Sequence, residues 1–348
     1  MLKSAKIKNL TVFSESEFNF SPHLNVIIGE NSTGKTHLLK VLYSLLAVLF
    51  NESMNPFTVT PTKTLLQRRM AEKLFRVFKP DSLGRLVRRR QGRDRCELEF
   101  IFSNRLLNSS FSFSTSSKTE VEIIQLPQEW INEPTLFLPP RELLTIYPGF
   151  VSVYENHYLE FEETWRDTCL LLGKPALRGP RESRARELLQ PLEEIIGGKV
   201  VLEKSGRFYL RIPQQGTMEM HLVAEGFRKL AMVAQLVANG SLLDQGYLFW
   251  DEPDANLNPK LVKQIAGTIL HLCANNVQVF LATHSLFLMR ELYIQALEHR
   301  SLETKYFGLH HKDGIIEPQS GKTIDDIGQI ISLEEELQQS DRYIDLEV

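Results

Sequence analysis

The sequence predicts an α/β fold, in which a mainly parallel sheet is covered by helices. Short apolar segments at residues 24–29, 247–250 and 277–282 are typical of strands that are buried on both faces. Residues 38–49 carry apolar side chains at helical spacing around most of the helix, which predicts a core helix. Alternating polar and apolar residues, as at 6–10, predict additional β-structure near the beginning of the chain.

The composition excludes several classes of protein. Of 348 residues, 43% are hydrophobic and 24% are charged, which argues against a disordered, collagen-like or disulfide-scaffold chain. The net charge of −3 excludes a polycation built to bind nucleic acid over its whole length. Three distant cysteines form no CxxC pair, so we expect reduced thiols and a cytoplasmic location. The start lacks the apolar core of a signal peptide, and the longest apolar segment, at 38–50, is too short to span a bilayer.

A phosphate-binding loop is predicted between the first buried strand and the core helix. The segment GENSTGKT matches the pattern GxxxxGK[ST] at every fixed position. Its glycines allow the loop to curl, so that backbone N–H groups and the helix N-terminus can face phosphate oxygens. In such loops the lysine reaches the β- and γ-phosphates and the hydroxyl of the last residue binds Mg²⁺. We therefore expect ATP and Mg²⁺ at Gly29, Glu30, Asn31, Ser32, Thr33, Gly34, Lys35 and Thr36.

A second part of the site is predicted at the ends of two later strands. Asp251 and Glu252 directly follow the apolar segment 247–250, and ligands bind at this end of strands in open α/β sheets. Asp251 can hold Mg²⁺ through water, and Glu252 can polarise the attacking water. His284 ends the next apolar segment and can reach the γ-phosphate. Taken alone, the acidic pair could be a solvated turn and the histidine a structural residue.

These motifs, in this order, resemble the ABC-type ATPase heads, and within them the branch of RecF, SMC and OLD-like proteins. The resemblance covers residues 3 to about 290 and implies a P-loop NTPase with an ABC-ATPase-like head. Asp251 then matches the Walker B aspartate, Glu252 the catalytic glutamate and His284 the switch histidine. Asn256 lies in the segment that matches the D-loop and is expected to contact nucleotide. The segment FLPPRE at 137–142 resembles a motif between the lobes of stand-alone bacterial ATPases in this branch.

The signature loop departs from the family pattern. The family has LSGGQ or LSGGE, which caps the γ-phosphate of a partner subunit, whereas residues 223–229 read VAEGFRK. Ala224 and Glu225 replace the serine and the first glycine. We expect Gly226 to approach the nucleotide and Arg228, or the neighbouring lysine, to supply the missing donor. The alternative is that this segment begins a core helix and touches no nucleotide. A similar variant occurs in stand-alone bacterial ATPases linked to phage defence.

The resemblance also implies an arrangement of subdomains within a single domain, residues 1–348. Residues 1–50 and about 96–150 are expected to form the nucleotide-binding lobe, with a β-rich N-terminal subdomain and a basic insertion at about 51–95. A helical and hairpin inset is expected at about 151–222. Residues 223–348 are expected to form a second lobe with Walker B, the D-loop and the switch histidine. No heptad repeat is present, so we expect no coiled-coil arms.

The function implied by the resemblance is an ATP-hydrolysing switch. ATP shared between two heads would favour a homodimer or an assembly of dimers. No second catalytic domain is recognised, so we expect a separate effector, such as a toxin or nuclease, in bacterial anti-phage defence. The alternative is a RecF-like DNA-binding ATPase in repair or genome maintenance. A membrane-transporter subunit is disfavoured by the altered signature and the RecF-like opening.

Three further features each leave two interpretations open. Residues 63–95 contain twelve basic and three acidic residues, a local charge of +9, which could be an ion-paired surface or a DNA contact through Arg88, Arg89 and Arg90. The aromatic residues before the phosphate loop could stack on adenine or belong to the core. The acidic C-terminal segment could be a solvated helix or a docking surface for a basic partner. The three aromatic residues are Phe13, Phe18 and Phe20.

Overall fold

The computed structural model of the chain describes residues 1–88, 92–157, 159–243, 246–298, 301–312, 314–329 and 331–347. Its strands form three sheets, and the predicted α/β fold is confirmed. The N-terminal antiparallel sheet contains β1 (Leu2–Leu10), β2 (Phe13–Asn19), β4 (Arg95–Phe102), β5 (Ser109–Ser114) and β6 (Glu122–Gln125). The central sheet contains β3 (Leu24–Gly29), β7 (Thr135–Leu138), β11 (Gly246–Asp251), β12 (Val277–Thr283), β13 (Thr304–Lys312) and β14 (Ile315–Gly321). A small sheet contains β8 (Lys199–Leu202), β9 (Phe208–Ile212) and β10 (Gly216–Glu219).

The helices lie between these strands and after them. They are α1 (Lys35–Ser53), α2 (Lys63–Phe78), α3 (Tyr147–Asn156), α4 (Glu163–Leu172), α5 (Pro180–Ile196), α6 (Glu225–Ala238), α7 (Pro259–Ala274), α8 (Leu286–Glu298) and α9 (Ile331–Glu347). The longest helix among the described residues is α1, with 19 residues, so this part of the chain contains no coiled-coil arm. None of the described helices combines the length and the apolarity needed to cross a membrane.

The central sheet determines where the functional residues meet. Its strand order is β14-β13-β3-β12-β11-β7, and all neighbours except β14 pair in parallel. Val26 pairs with Leu281 on one side and Tyr306 on the other, so β3 is fully enclosed. Because the strands are parallel, the carboxyl ends of β3, β11 and β12 lie at the same edge of the sheet.

The parallel strands β3, β7, β11 and β12 each contribute to two hydrophobic cores, which explains their mainly apolar sequences. In β11, Leu248 and Trp250 enter the core beneath α6, α7 and α8, whereas Phe249 enters the core shared with α1 and the N-terminal sheet. The same alternation occurs in β12, where Phe280 stacks on Phe249 at a ring-centroid distance of 4.9 Å. The helix α1 is buried almost all around because it belongs to the second core along its whole length.

Several features differ from the sequence expectations. The strands β13 and β14 were not predicted, and the hairpin in the inset has a third strand, β10. The strand β3, from the expected nucleotide-binding lobe, lies between β12 and β13 of the expected second lobe in one sheet. Of the two interpretations left open for the early aromatic residues, the structure places Phe13 and Phe18 fully buried in the core, and Phe20 packs on Phe280.

Candidate functional site: a nucleotide site at the edge of the central sheet

The loop between β3 and α1 has a backbone that requires its glycines. Gly34 has a φ of +92°, and Ser32 before it has a φ of +69°. A Cβ atom at Gly34 would lie 2.5 Å from Cγ2 of Val12, and one at Gly29 would lie 2.9 Å from the carbonyl oxygen of Leu309. Both fixed glycines of the motif are therefore required by contacts within this chain. Asn31 is exposed near the tip of the loop, which leaves that side open to a ligand.

Lys35 folds back over this loop. Its Nζ donates to the carbonyl oxygens of Gly29, at 2.7 Å, and Glu30, at 2.9 Å. Burial lowers the pKa of Lys35, while Glu252 and Asp251 act in the opposite direction. The ammonium group is thus held at the mouth of the loop, close enough to the two carboxylates to interact with them electrostatically.

Thr36 and Asp251 form the candidate metal site. The Thr36 Oγ1 donates to the Asp251 carboxylate, at 2.9 Å and 3.1 Å to its two oxygens. Burial, with a smaller contribution from Glu252, raises the pKa of Asp251 to about 6 despite the Thr36 hydrogen bond and the nearby lysines. Hydroxyl and carboxylate oxygens are the ligands that Mg²⁺ prefers, and a buried carboxylate gains from a cation. These residues therefore fit Mg²⁺.

Glu252 and His284 form a pair at the ends of β11 and β12. The Nδ1 of His284 lies 3.0 Å from Oε1 of Glu252, and their side chains are 49% and 30% exposed, respectively. The N–H of Glu252 donates to the carbonyl oxygen of Ala282 at 2.9 Å, and the φ of Glu252 is +45°. The carboxylate is therefore both fixed and accessible to water, as a general base must be.

The segment after Glu252 packs against the beginning of α6. Asn256, the expected D-loop contact, donates from Nδ2 to Oε1 of Glu225 at 3.0 Å. Gly226 allows close packing there, because a Cβ atom on it would lie 3.1 Å from Cδ2 of Leu257. Both predicted nucleotide contacts thus lie at the junction of α6 with the D-loop segment of the same chain.

The two cations of the signature segment are held within the chain. The Nε of Arg228 lies 2.8 Å from Oε1 of the buried Glu142, and its Nη1 donates to the carbonyl oxygen of Val223 at 3.0 Å. Lys229 is buried and donates to the carbonyl oxygens of Glu252 and Ala255. In this conformation the donors of both side chains bond groups of the same chain, and the expected contact with a partner's nucleotide stays a prediction. Glu142, the partner of Arg228, is the last residue of the segment FLPPRE at 137–142, which the sequence analysis noted as a family-like motif.

Two adjoining cavities open beside the phosphate loop. One, of about 450 Å³, is lined by loop residues and Glu252, and the other, of about 630 Å³, extends from it. Val12 and His37 line both cavities, and Phe78 at the end of α2 lines the larger one. Burial, with a smaller effect of Lys40, lowers the pKa of His37 to about 4. Its neutral ring and the Phe78 ring, with centroids 5.7 Å apart, form an aromatic wall that sequence reasoning missed.

Five of the basic side chains described in the basic segment form ion pairs. Lys73 is buried and pairs with Glu163 and Asp167 on α4. In the other ion pairs of this segment the basic side chain is exposed. The Nη2 of Arg88 donates to the carbonyl oxygen of Gly314 at 2.6 Å. Arg89 and Arg90 lie outside the described residues. Further acidic partners are Glu120 for Arg68, Glu52 for Arg69, Glu72 for Arg76 and Glu122 for Arg95.

Comparison with known proteins identifies the family. A family model described as "AAA domain, putative AbiEii toxin, Type IV TA system" matches residues 24–290, well over half of the chain. The chain belongs to this family. The prediction of an ABC/AAA-like ATPase of the RecF/SMC branch is thereby confirmed, together with the P-loop head fold.

Solved structures support the same fold. The SMC head bound to the C-terminal winged-helix domain of ScpA superposes with a TM-score of 0.55, at 14% identity, over 93% of this chain and 98% of that one. The SMC head derived from Pyrococcus furiosus, bound to the C-terminal domain of ScpA, gives a TM-score of 0.52 at 13% identity over 98% and 99% of the chains. At these identities the likeness concerns the fold alone.

Short matches link the chain to RecF. The DNA replication and repair protein RecF of Lactobacillus johnsonii is 43% identical over 44 residues, which is 13% of this chain and 12% of RecF. The corresponding protein of Chlamydia caviae is 48% identical over 42 residues, or 12% and 11% of the two chains. The chain thus spans about an eighth of the length of these curated relatives.

Proposed function

We propose that this AAA-family domain binds and hydrolyses ATP, and that ATP-driven assembly of two such heads controls a separate effector protein. The observation that carries this proposal is a set of three hydrogen-bonding contacts that lie together at one edge of the central sheet. The Lys35 ammonium covers the loop, Thr36 bonds Asp251, and Glu252 faces His284. A phosphate anchor, a metal site and a base with an orienting imidazole together make a phosphoryl-transfer site.

The role of each residue follows from its position. Lys35 would turn from the loop carbonyls to the β- and γ-phosphates of ATP. Mg²⁺, held by Thr36 and Asp251, would neutralise charge that develops on the phosphates. Glu252 would accept a proton from the attacking water, and His284 would hold the carboxylate oriented through its Nδ1. The partial exposure of both side chains leaves space for that water.

The larger cavity fits the nucleoside end of ATP. It is continuous with the cavity at the loop through Val12 and His37, so a nucleotide with its phosphates on the loop extends into it. The rings of His37 and Phe78, which are tilted by 50° to each other, supply aromatic surface against which a purine base can pack. In this arrangement the insertion at 51–95 contributes part of the nucleotide site through Phe78.

The partners are proposed from the relatives. The SMC heads described above are bound to domains of ScpA, which supports an ATPase head that works with a second protein. The family description names a toxin of a type IV toxin–antitoxin system, which supports a setting in bacterial anti-phage defence. We propose a homodimer of heads, or an assembly of dimers, as the ATP-bound state.

The decisive test is the Glu252→Gln variant on a sizing column with multi-angle light scattering. The variant should bind Mg-ATP, hydrolyse it about 10²- to 10⁴-fold more slowly than the wild type, and show a dimer mass only with Mg-ATP. Lys35→Ala is the control, because it removes the phosphate anchor and should leave the mass unchanged by ATP. Hydrolysis by Glu252→Gln at the wild-type rate would contradict the role of Glu252. A mass that ATP never changes would contradict nucleotide-driven assembly.

A DNA-binding ATPase is the second candidate, and the RecF matches favour it. The ion pairs of the basic segment reduce the charge available to phosphates. Duplex binding can be measured by fluorescence anisotropy at two salt concentrations, for the wild type and for a variant with Arg88, Arg89 and Arg90 changed to glutamine. Salt-sensitive binding that this variant loses would support DNA as a ligand of the basic segment. Equal binding by both proteins would argue against a contact through these arginines, and no binding by the wild type would argue against DNA as a ligand.

A further inference from the structure

Lys229 is a buried lysine beneath the turn at residues 252–255, which follows β11 and is called the catalytic loop below. Its side chain leaves the second turn of α6, and the residue is only 2% exposed. The Nζ donates to the carbonyl oxygen of Glu252 at 2.7 Å and to that of Ala255 at 3.2 Å. One amino group thus joins the signature helix to the backbone on both sides of the turn that follows β11.

The backbone that Lys229 holds has a conformation that residues other than glycine rarely adopt. Glu252 has a φ of +45°, in the left-handed region. On one side its N–H donates to the carbonyl oxygen of Ala282, and on the other its carbonyl oxygen accepts from the N–H of Ala255 at 3.1 Å. Lys229 adds a charged donor to that same carbonyl oxygen. The direction of the Glu252 carboxylate therefore depends on a turn that is fixed by three hydrogen bonds.

The surroundings of the Lys229 amine also indicate that it serves to hold the backbone of Glu252. Burial lowers the pKa of Lys229 to about 8, and Asp254, Glu252, Asp251 and Glu225 act in the opposite direction. Burying an ammonium group is unfavourable unless its hydrogen bonds are satisfied. An apolar side chain could fill this position in the helix, but it could not bond the two carbonyl oxygens.

We infer that Lys229 is a positioning residue, which holds the backbone of Glu252 so that its carboxylate faces His284 and the site of the attacking water. This inference rests on the proposed ATPase function. It assigns Lys229 to the hydrolysis step and not to the binding of ATP, because its amine bonds the backbone behind the loop and lies outside both cavities.

The test compares Lys229→Met, which keeps the length of the side chain and removes the amine, with Gln235→Met as a matched control. Gln235 lies on the same helix, is 6% exposed and donates to the carbonyl oxygen of Leu172, away from the catalytic loop. Single-turnover hydrolysis should fall about 10- to 100-fold in Lys229→Met and stay at the wild-type rate in Gln235→Met. The affinity for a fluorescent ATP analogue should not change in either variant.

Two readouts separate positioning from general destabilisation. Hydrogen exchange of the nucleotide-free protein should become faster at residues 252–257 in Lys229→Met, but not in Gln235→Met. Adding Lys229→Met to Glu252→Gln should cause no further loss of rate, because the residue acts through Glu252. Additive losses, or wild-type hydrolysis and exchange in Lys229→Met, would overturn the inference.

The outcomes also distinguish the inference from the function on which it rests. A wild-type protein that binds or hydrolyses no ATP would contradict the proposed function itself. If Lys229→Met does not fold, Lys229→Arg and Lys229→Gln are compared instead. Arginine retains several donors and glutamine a shorter one, so the rates should decrease from wild type to Lys229→Arg to Lys229→Gln. Equal rates for the three proteins would overturn the inference.

Discussion

Glu252 and His284 lie at the ends of neighbouring parallel strands, and their contact depends on the register of β11 and β12. Asp251 pairs with Ala282 in that register, so Glu252 lies one residue and His284 two residues beyond the last pair, and the two side chains meet past the edge of the sheet. The left-handed backbone of Glu252 then directs its carboxylate to Nδ1 of His284. Sequence separation alone gave only an expectation that they meet, and the parallel pairing provides the physical reason.

The His284→Ala variant should hydrolyse ATP about 10-fold to 100-fold more slowly, because the Glu252 carboxylate loses the partner that orients it. ATP affinity should stay within about twofold of the wild type, since His284 lines neither cavity. Initial-rate kinetics and a binding titration measure the two quantities. His271→Ala, a change on α7 outside the site, is the matched control and should change neither. A large loss of affinity without loss of turnover in His284→Ala would contradict the role.

At the scale of elements, a buried network joins the helix after the phosphate loop to α2 and α4. The Nζ of Lys73 on α2 lies 2.8 Å from Glu163 and 2.5 Å from Asp167, both on α4. Tyr43 on α1 donates to the same Asp167 carboxylate at 2.6 Å, and Lys40 on α1 pairs with Glu162. Ion pairs and hydrogen bonds therefore connect α1, the helix that follows the phosphate loop, to α2 and α4.

Removing the Lys73 cation from this network should lower the stability of the folded protein. Lys73→Met removes the buried cation that the two carboxylates share and leaves Glu163 with the exposed Arg76 and Asp167 with Arg166 and Tyr43. We expect the free energy of unfolding to fall by about 3 kcal/mol. The triple variant Lys73→Met, Glu163→Gln, Asp167→Asn should regain much of that loss, because no charge then lacks a partner. Urea denaturation followed by circular dichroism measures both. Equal stability of Lys73→Met and the wild type would show that the network contributes nothing.

The network also predicts acid sensitivity. Burial raises the pKa of Asp167, but Lys73, Tyr43 and Arg166 outweigh burial and hold it below the ordinary value. A carboxyl group whose pKa is lowered by folding stabilises the protein above its unfolded pKa and loses that contribution as pH falls through the folded value. The free energy of unfolding of the wild type should therefore decrease below about pH 4. In Lys73→Met the decrease attributable to Asp167 should be smaller, as denaturation at several pH values can test.

The sequence predicted those parts of the site that local patterns encode. The loop at 29–36, the two acidic residues at the end of β11 and the position of His284 follow from motifs on single segments. Glu142 with Arg228, Lys229 with Glu252, and His37 with Phe78 depend on contacts between distant segments, which no local pattern contains. The strands β13 and β14 were missed for a related reason. Their mixed polar and apolar sequences gain stability from strand pairing, β13 with β3 and β14 with β13, and not from their own periodicity.

For the whole molecule, ligand binding and stability should be linked through the phosphate loop. A ligand that binds only the folded state stabilises it by about 2.7 kcal/mol at 100 times its dissociation constant. Mg-ATP should therefore raise the Tm of Glu252→Gln, in which ATP is not consumed, and leave Lys35→Ala unchanged at the same concentration. Differential scanning fluorimetry measures the shift. An equal shift in both variants would place the nucleotide away from this loop.

The enclosure of β3 between β12 and β13 affects synthesis of the chain. β3 ends at Gly29, whereas β12 begins at Val277, so its first partner in the sheet is made much later. At about 5–20 residues per second, a ribosome needs roughly 12 to 50 s to produce the roughly 250 intervening residues. During that interval the apolar strand LNVIIG has no neighbour in its final sheet, and such a segment is prone to pair with other chains. The nucleotide site can therefore form only after β12 has been synthesised, and until then β3 is open to pairing with other chains.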